Sequence, residues 1–188
     1  MQKPKITLGI VFYNQRNFIK DAIASVKNQT IDGWECIIYD DGSSDGSDEI
    51  ILREICNDGR FIFKRSEKRN FTPSVGRNYC LDHAKGKYVC FLDGDDMLVK
   101  NAFEIMYGVA EAGNCDMVSC GAPNYNISVP VDFHYHTDLP AAGCVNDIVF
   151  VNTPVPDGSA WRLNGDIENG WIWGILYKKE TIKDIRFD

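Results

Sequence analysis

Short apolar runs alternate with amphipathic stretches along the first 120 residues of the chain. The apolar runs are rich in β-branched and aromatic residues and predict strands, which we place at residues 6–12, 34–39, 61–64, 88–92 and 117–120. The stretches between them carry apolar residues at helical spacing and predict helices at residues 18–26, 48–56, 72–84 and 103–113. This alternation predicts an α/β fold with a mostly parallel sheet, flanked by helices that form right-handed crossovers.

The pattern changes after residue 121, where Pro, Asn, Tyr and His become frequent and the apolar runs shorten. For the rest of the chain we predict a hairpin or loop insertion at residues 122–140, a weak helix at 141–150 and a loop at 152–169. A strand at residues 171–177 and the start of a helix at 178–183 follow. We therefore treat the chain as a single domain with two parts, residues 1–121 and 122–188.

Carboxylates follow two of the predicted strands directly. Asp40 and Asp41 end the second strand, and Asp93, Asp95 and Asp96 follow the fourth. Since ligands of open α/β sheets bind at the carboxyl ends of the strands, we expect these side chains to share a cleft. Clustered carboxylates repel one another unless a cation lies between them, and hard oxygen ligands suit Mg²⁺ or Mn²⁺. The sequence thus predicts a divalent metal with a phosphate-bearing ligand; the alternative is an acidic turn with solvated charges.

Composition narrows the class of function. The 188 residues are 44% hydrophobic and carry a net charge of -7, which argues against a primary role in nucleic-acid binding. We find no membrane-spanning run and no signal-peptide core. The seven cysteines are odd in number and form no Cys-x-x-Cys pair, so a reducing, cytoplasmic environment is expected.

Five short motifs occur in a fixed order along residues 5–121. They are Tyr13-Asn14-Gln15, Asp40-Asp41-Gly42-Ser43-Ser44-Asp45, Gly76-Arg77-Asn78, Ala84-Lys85-Gly86-Lys87-Tyr88 and Phe91-Leu92-Asp93-Gly94-Asp95-Asp96. In this order they resemble the family 2 glycosyltransferases with the GT-A fold, and residues 173–187 resemble the acceptor-side segment of that family. The resemblance implies that residues 1–121 bind a nucleotide-sugar donor and that residues 122–188 form part of an acceptor-side subdomain.

The resemblance implies a place for the nucleotide base. The loop after the first strand borders the base, so Tyr13 is expected to pack on its ring, although an aromatic core plug is an equal alternative. Asp41, with Asp40 beside it, is expected to accept a hydrogen bond from a ring N–H. A turn-capping role for the Asp-Gly-Ser-Ser segment is compatible with that contact.

The resemblance also implies a site for the diphosphate and its metal. Arg77 is expected near the acidic motif or the diphosphate, because its planar guanidinium suits either partner, while Asn78 is expected to be structural. Asp93 is expected to touch the ribose or the nucleotide, and to join Asp95 in holding Mg²⁺ or Mn²⁺. The expected donor is a UDP-sugar or another nucleotide-diphosphate sugar.

An inverting transfer needs a general base for the acceptor hydroxyl. The resemblance places that base beyond Asp188, so we hypothesise that this chain is truncated before it; Asp96, Asp166 and Glu168 are weaker candidates within the chain. A catalytically inactive nucleotide-sugar-binding module is the alternative function. The expected acceptor is a saccharide or glycolipid, in polysaccharide or glycolipid synthesis, with possible peripheral membrane association at the inner face of the membrane.

Other chemistries have weaker support. His134 and His136 share one side of an extended segment, but lack a third metal ligand nearby in sequence. Trp161 is a weak candidate for stacking on an acceptor sugar, whereas Trp173 lies in an apolar run typical of a core. A dinucleotide-binding or P-loop protein would need a glycine-rich turn after the first strand, and residues 13–17 contain no glycine.

Overall fold

The computed structural model describes residues 3–120, 148–151 and 174–188. In these ranges the chain forms four helices and seven strands. In chain order they are β1 (Ile6–Phe12), α1 (Ile19–Lys27), β2 (Trp34–Asp40), α2 (Ser47–Glu54), β3 (Phe61–Arg65), α3 (Pro73–His83), β4 (Tyr88–Asp93), α4 (Ala102–Ala112), β5 (Met117–Cys120), β6 (Ile148–Val151) and β7 (Ile175–Lys178).

All seven strands join one sheet in the order β3-β2-β1-β4-β7-β5-β6. The strands β3, β2, β1 and β4 are parallel to one another, whereas β7 is antiparallel to both β4 and β5, and β5 is antiparallel to β6. The chain moves outward from β1 to β3 and then returns to β4 on the other side of β1. This reversal is the position where open α/β sheets bind their ligands. The predicted α/β fold is confirmed, and the sheet is mixed: four adjacent strands are parallel, and the pairings that involve β7 and β6 are antiparallel.

The sheet is covered on both faces because side chains alternate along each strand. On one face Ile6, Leu8 and Ile10 pack with buried residues of α1, α2 and α4. On the other face Val11 and residues of β2 and β4 pack under α3 and the C-terminal segment. No helix in the described part of the chain has the length and apolarity needed to cross a bilayer.

Helix α3 lies unusually close to the sheet. A Cβ on Gly76 would stand 2.6 Å from Val11 and 2.7 Å from Tyr39, so only glycine allows this approach. The helix begins as the sequence predicts, since Pro73 occupies its first turn and the Thr72 side chain accepts from the Ser74 amide at 3.3 Å. The contact fixes the first turn of α3 beside the carboxyl ends of β1 and β2.

Two predictions for the second half of the chain are wrong. Residues 148–151 form strand β6 and not the end of a helix, because their backbone pairs antiparallel with β5. Residues 179–184 form successive turns and not the predicted start of a helix at 178–183; hydrogen bonds between residues three apart close the turns, and the amide of Lys179 bonds to the carbonyl of Lys87. The predicted strand at 171–177 is present from Ile175, and its residues 171–173 lie outside the described ranges, as does the predicted hairpin at 122–140.

Candidate functional site

A cleft of about 380 Å³ opens at the carboxyl ends of β1, β2 and β4. Its walls come from the end of β1 and the following loop, from the end of β2, from the loop before α3 and from the end of β4. The lining residues are 11–13, 15, 41, 69, 71–73 and 93–95. One cleft therefore contains Tyr13, Asp41, Asp93 and Asp95, which is the arrangement that the sequence predicts.

Asp41 is fixed in the wall of the cleft by Asn70. Both carboxylate oxygens of Asp41 lie 3.1 Å from the backbone nitrogen of Asn70, and the Asn70 side-chain amide donates to one of them. Only 6% of Asp41 is exposed. Sequence reasoning missed Asn70, because an asparagine before a helix cap is also typical of an ordinary turn.

Asp40 points away from this cleft. It is fully buried, and one carboxylate oxygen accepts from the Ser43 amide at 2.8 Å, while the other lies 3.5 Å from Nε of Arg65. This is the turn-capping role that the sequence allowed. The Ser43 hydroxyl in turn accepts from the amide of Asn14 at 2.8 Å, so the turn supports the loop that carries Tyr13.

Tyr13 is partly exposed and stacks on an arginine. The guanidinium carbon of Arg69 lies 3.9 Å from the centre of the Tyr13 ring and 4.7 Å from the centre of the Phe71 ring. Tyr13 is thus a cleft residue and not a plug of the core. Sequence reasoning missed Arg69, which follows Lys68 in a polar loop and resembles a solvated charge there.

Arg77 pairs with the first carboxylate of the acidic motif. Its Nη2 donates to Asp93 Oδ1 at 3.2 Å, and the arginine side chain is 14% exposed. Asn78 has a structural role, because its side-chain amide both donates to and accepts from the backbone of Phe187 at 2.9 Å.

The acidic motif concentrates negative charge. Burial raises the pKa of Asp93; Arg77 works against this shift, and Asp95 adds to it. Burial likewise raises the pKa of Asp96, with the charges of Asp95 and Asp93 adding to the effect. A cation in the cleft would relieve this repulsion.

The carboxylates suit a metal that shares its shell with a ligand. Within residues 3–120, 148–151 and 174–188, no three acidic, histidine or cysteine side chains converge on one point. Asp93 and Asp95 instead offer hard oxygen atoms on the wall of an open cleft. This donor set fits Mg²⁺ or Mn²⁺, which commonly complete their coordination with phosphate oxygens and water.

Of the remaining candidate residues, only Asp96 lies within the part of the chain that the structure describes. Asp96 is partly exposed beside the cleft motif, and its amide closes a turn onto the carbonyl of Asp93 at 3.1 Å. The candidates Asp166, Glu168, His134, His136, Trp161 and Trp173 all lie outside the described residues.

The sheet order and the cleft at its reversal define an α/β protein of the GT-A type. The match of S. aureus TarS 1–349 in complex with UDP shows this fold, with a TM-score of 0.71 and 19% identity over 96% of this chain and 48% of that one. The profile described as glycosyl transferase family 2 matches residues 7–166. The chain therefore belongs to glycosyl transferase family 2.

Relatives of known sequence agree with this assignment. EpsH of Bacillus subtilis, provisionally named a glycosyltransferase, is 32% identical over 97% of this chain and 49% of its own length. The cholesterol galactosyltransferase of Borreliella burgdorferi is 36% identical over 63% of this chain and 32% of its own length. The chain thus spans half or less of each of these two relatives.

Proposed function

We propose that this chain carries the donor-binding site of an inverting glycosyltransferase that uses a nucleotide-diphosphate sugar with Mg²⁺ or Mn²⁺. One observation carries the proposal: Tyr13, Asp41, Asp93 and Asp95 come from three different strand ends and line a single cleft. The ligands of two proteins with this fold support it. TarS was solved with UDP-GlcNAc, and the mannosyltransferase PcManGT of Pyrobaculum calidifontis with GDP-Man and Mn²⁺, the latter matching with a TM-score of 0.59.

In this proposal residues 1–121 bind the donor through its base and its diphosphate. The base stacks on Tyr13 and donates a ring N–H to Asp41, which Asn70 holds in place. Asp40 serves the base indirectly, because it shapes the turn beneath the Tyr13 loop. A UDP-sugar is the donor to test first.

At the other end of the cleft, Asp93 and Asp95 would hold the divalent cation, which when bound neutralises the leaving diphosphate. Arg77 keeps Asp93 oriented and adds positive charge beside the phosphates. The acceptor hydroxyl oxygen attacks the anomeric carbon as the bond from that carbon to the diphosphate breaks, which inverts the configuration. The hydroxyl proton passes to a carboxylate base.

Asp96 is the candidate for that base within the described residues. It directly follows Asp95, which lines the cleft, and burial and two neighbouring carboxylates raise its pKa. The backbone at Asp188 also lies close to the cleft, because its carbonyl accepts from the Ser74 hydroxyl in the first turn of α3, adjacent to Pro73 in the cleft wall.

The acceptor we propose is a saccharide or a glycolipid, in polysaccharide or glycolipid synthesis at the inner face of the membrane. The cholesterol galactosyltransferase relative supports a lipid as the acceptor. The first experiment is calorimetric titration of UDP and UDP-sugars with and without Mn²⁺, followed by product detection with saccharide acceptors. Binding without turnover would identify the alternative, an inactive nucleotide-sugar-binding module, and absence of metal-dependent UDP binding would refute both.

A further inference from the structure

The guanidinium of Arg69 lies between two aromatic rings in the cleft. It stacks 3.9 Å from the centre of Tyr13 and 4.7 Å from that of Phe71, and all three residues line the cleft wall. In the described part of the chain no carboxylate forms an ion pair with Arg69. Among the described residues, only the two ring faces contact the charge of Arg69, and a cation–π contact at an exposed position is weak.

The backbone around this side chain is fixed. The next residue, Asn70, binds both oxygens of Asp41 through its amide. Phe71 has a φ of 64°, a rare conformation for an aromatic residue, and the residue is 79% exposed. The Arg69 side chain can consequently move while its attachment point stays beside Asp41.

Arg69 occupies the face that a nucleotide base would use. A separation of 3.9 Å leaves no space for another planar group between Arg69 and Tyr13. A base that stacks on this face of Tyr13 and reaches Asp41 must therefore displace the guanidinium. We propose that Arg69 selects nucleoside diphosphates over nucleosides: it covers Tyr13 in the free protein, and on displacement by the base it pairs with the diphosphate.

The physical basis is an exchange of partners by the Arg69 guanidinium, which leaves the Tyr13 ring and pairs with the diphosphate. This inference rests on the function proposed above. The planar guanidinium matches two phosphate oxygens, a stronger contact than an exposed ring face gives. The diphosphate would lie towards Asp93 and Asp95, which line the same cleft. A nucleoside must displace Arg69 and offers it no phosphate in return, so the nucleoside is disfavoured.

Titration of the 188-residue protein with uridine and with UDP in Mg²⁺, followed by NMR chemical shifts, tests this proposal. Arg69→Ala should bind uridine about two- to fivefold more tightly, because the stacking contact no longer competes. The preference for UDP over uridine should fall by at least about tenfold, because a charged phosphate contact is lost. Lys68→Ala, an equal charge change in the same exposed loop, should leave that preference within about twofold of the wild type.

Three results are distinguishable. Wild-type protein that binds neither ligand would overturn the proposed function itself. Wild-type binding of UDP with equal weakening of UDP and uridine in Arg69→Ala would overturn the exchange alone and show that Arg69 stacks on the bound base. An equal loss of preference in Arg69→Ala and Lys68→Ala would reduce the effect to general loop charge, and would also overturn the proposal.

Discussion

Replacing Asp95 by asparagine should remove metal-dependent donor binding and leave the fold intact. Asp95 is exposed on the wall of the cleft, and within the described ranges no hydrogen bond or ion pair is made by its side chain. Asparagine keeps the shape of the side chain and removes its charge. The change therefore separates the proposed role in metal binding from any role in stability.

The expected magnitudes differ strongly between the two properties. An exposed substitution away from the core typically changes the free energy of unfolding by less than about 0.5 kcal/mol. Loss of a group that merely supports a metal ligand costs about 10- to 100-fold in metal affinity, so loss of a ligand itself should cost about 100-fold or more. In free energy that is about 2.7 kcal/mol or more of the metal-dependent part of UDP binding.

Two measurements on each variant check this expectation. Calorimetric titration with UDP, with and without Mn²⁺, gives the metal-dependent part of the affinity, and denaturant unfolding gives the stability. Asp32→Asn is a matched control, because Asp32 is an exposed aspartate before β2, at the opposite end of the strand from the cleft.

Binding of UDP by Asp95→Asn with the same Mn²⁺ dependence as the wild-type protein would refute the proposed role of Asp95 in metal binding. A loss of binding shared by Asp32→Asn would also refute it, since the effect would then come from net charge. A fall in stability of several kcal/mol would show that Asp95 has a structural partner.

Three further predictions follow from the contacts. Asp93→Asn should lose metal-dependent UDP binding and also destabilise the protein by about 1–3 kcal/mol in denaturant unfolding, because it leaves the largely buried Arg77 without its carboxylate. Gly76→Ala should destabilise by about 1–3 kcal/mol through overpacking against β1 and β2, whereas Gly108→Ala, with open space around it on α4, should be neutral or stabilising in thermal unfolding. Burial raises the pKa of Asp45, but hydrogen bonds at the start of α2 lower it more, so this pKa lies below its ordinary value. The Asp45 carboxylate therefore stabilises the protein at neutral pH, and this stabilisation is lost as pH falls through the lowered pKa. Asp45→Ala should therefore cost about 0.5–2 kcal/mol at pH 7, with a difference from wild type that shrinks below about pH 4 in a series of unfolding titrations.

The strands and their acidic ends could be predicted from sequence because each is a local pattern. A buried strand is a continuous apolar run, and the carboxylates that follow it are adjacent in the chain. Local rules also gave the start of α3, where Thr72 and Pro73 behave as an N-cap and first turn. For residues 148–151 the same rules failed, because a short apolar run fits a helix or a strand, and pairing with β5 decides between them.

The contacts that complete the cleft could not be predicted in the same way. Asn70 binds Asp41 from 29 positions away, and Arg69 stacks on Tyr13 from a different loop. Nothing in the local sequence specifies these partners, since they are set by the distance between β1, β2 and the first turn of α3. The opposite directions of Asp40 and Asp41 follow from alternation along a strand, which explains why Asp41 and not Asp40 lines the cleft.

The cleft is assembled from polar contacts between loops, and the core beneath it is apolar on both faces of the sheet. The Asn14 amide binds Ser43, and Asn70 binds Asp41, so each wall is held by a hydrogen bond to a neighbouring segment. Such contacts contribute about 1 kcal/mol each, far less than the packing of β1 between two layers. Under the proposed function, substitutions at loop residues such as Arg69 would therefore change the preference for base or phosphate, while the strands that position Asp41, Asp93 and Asp95 stay unchanged.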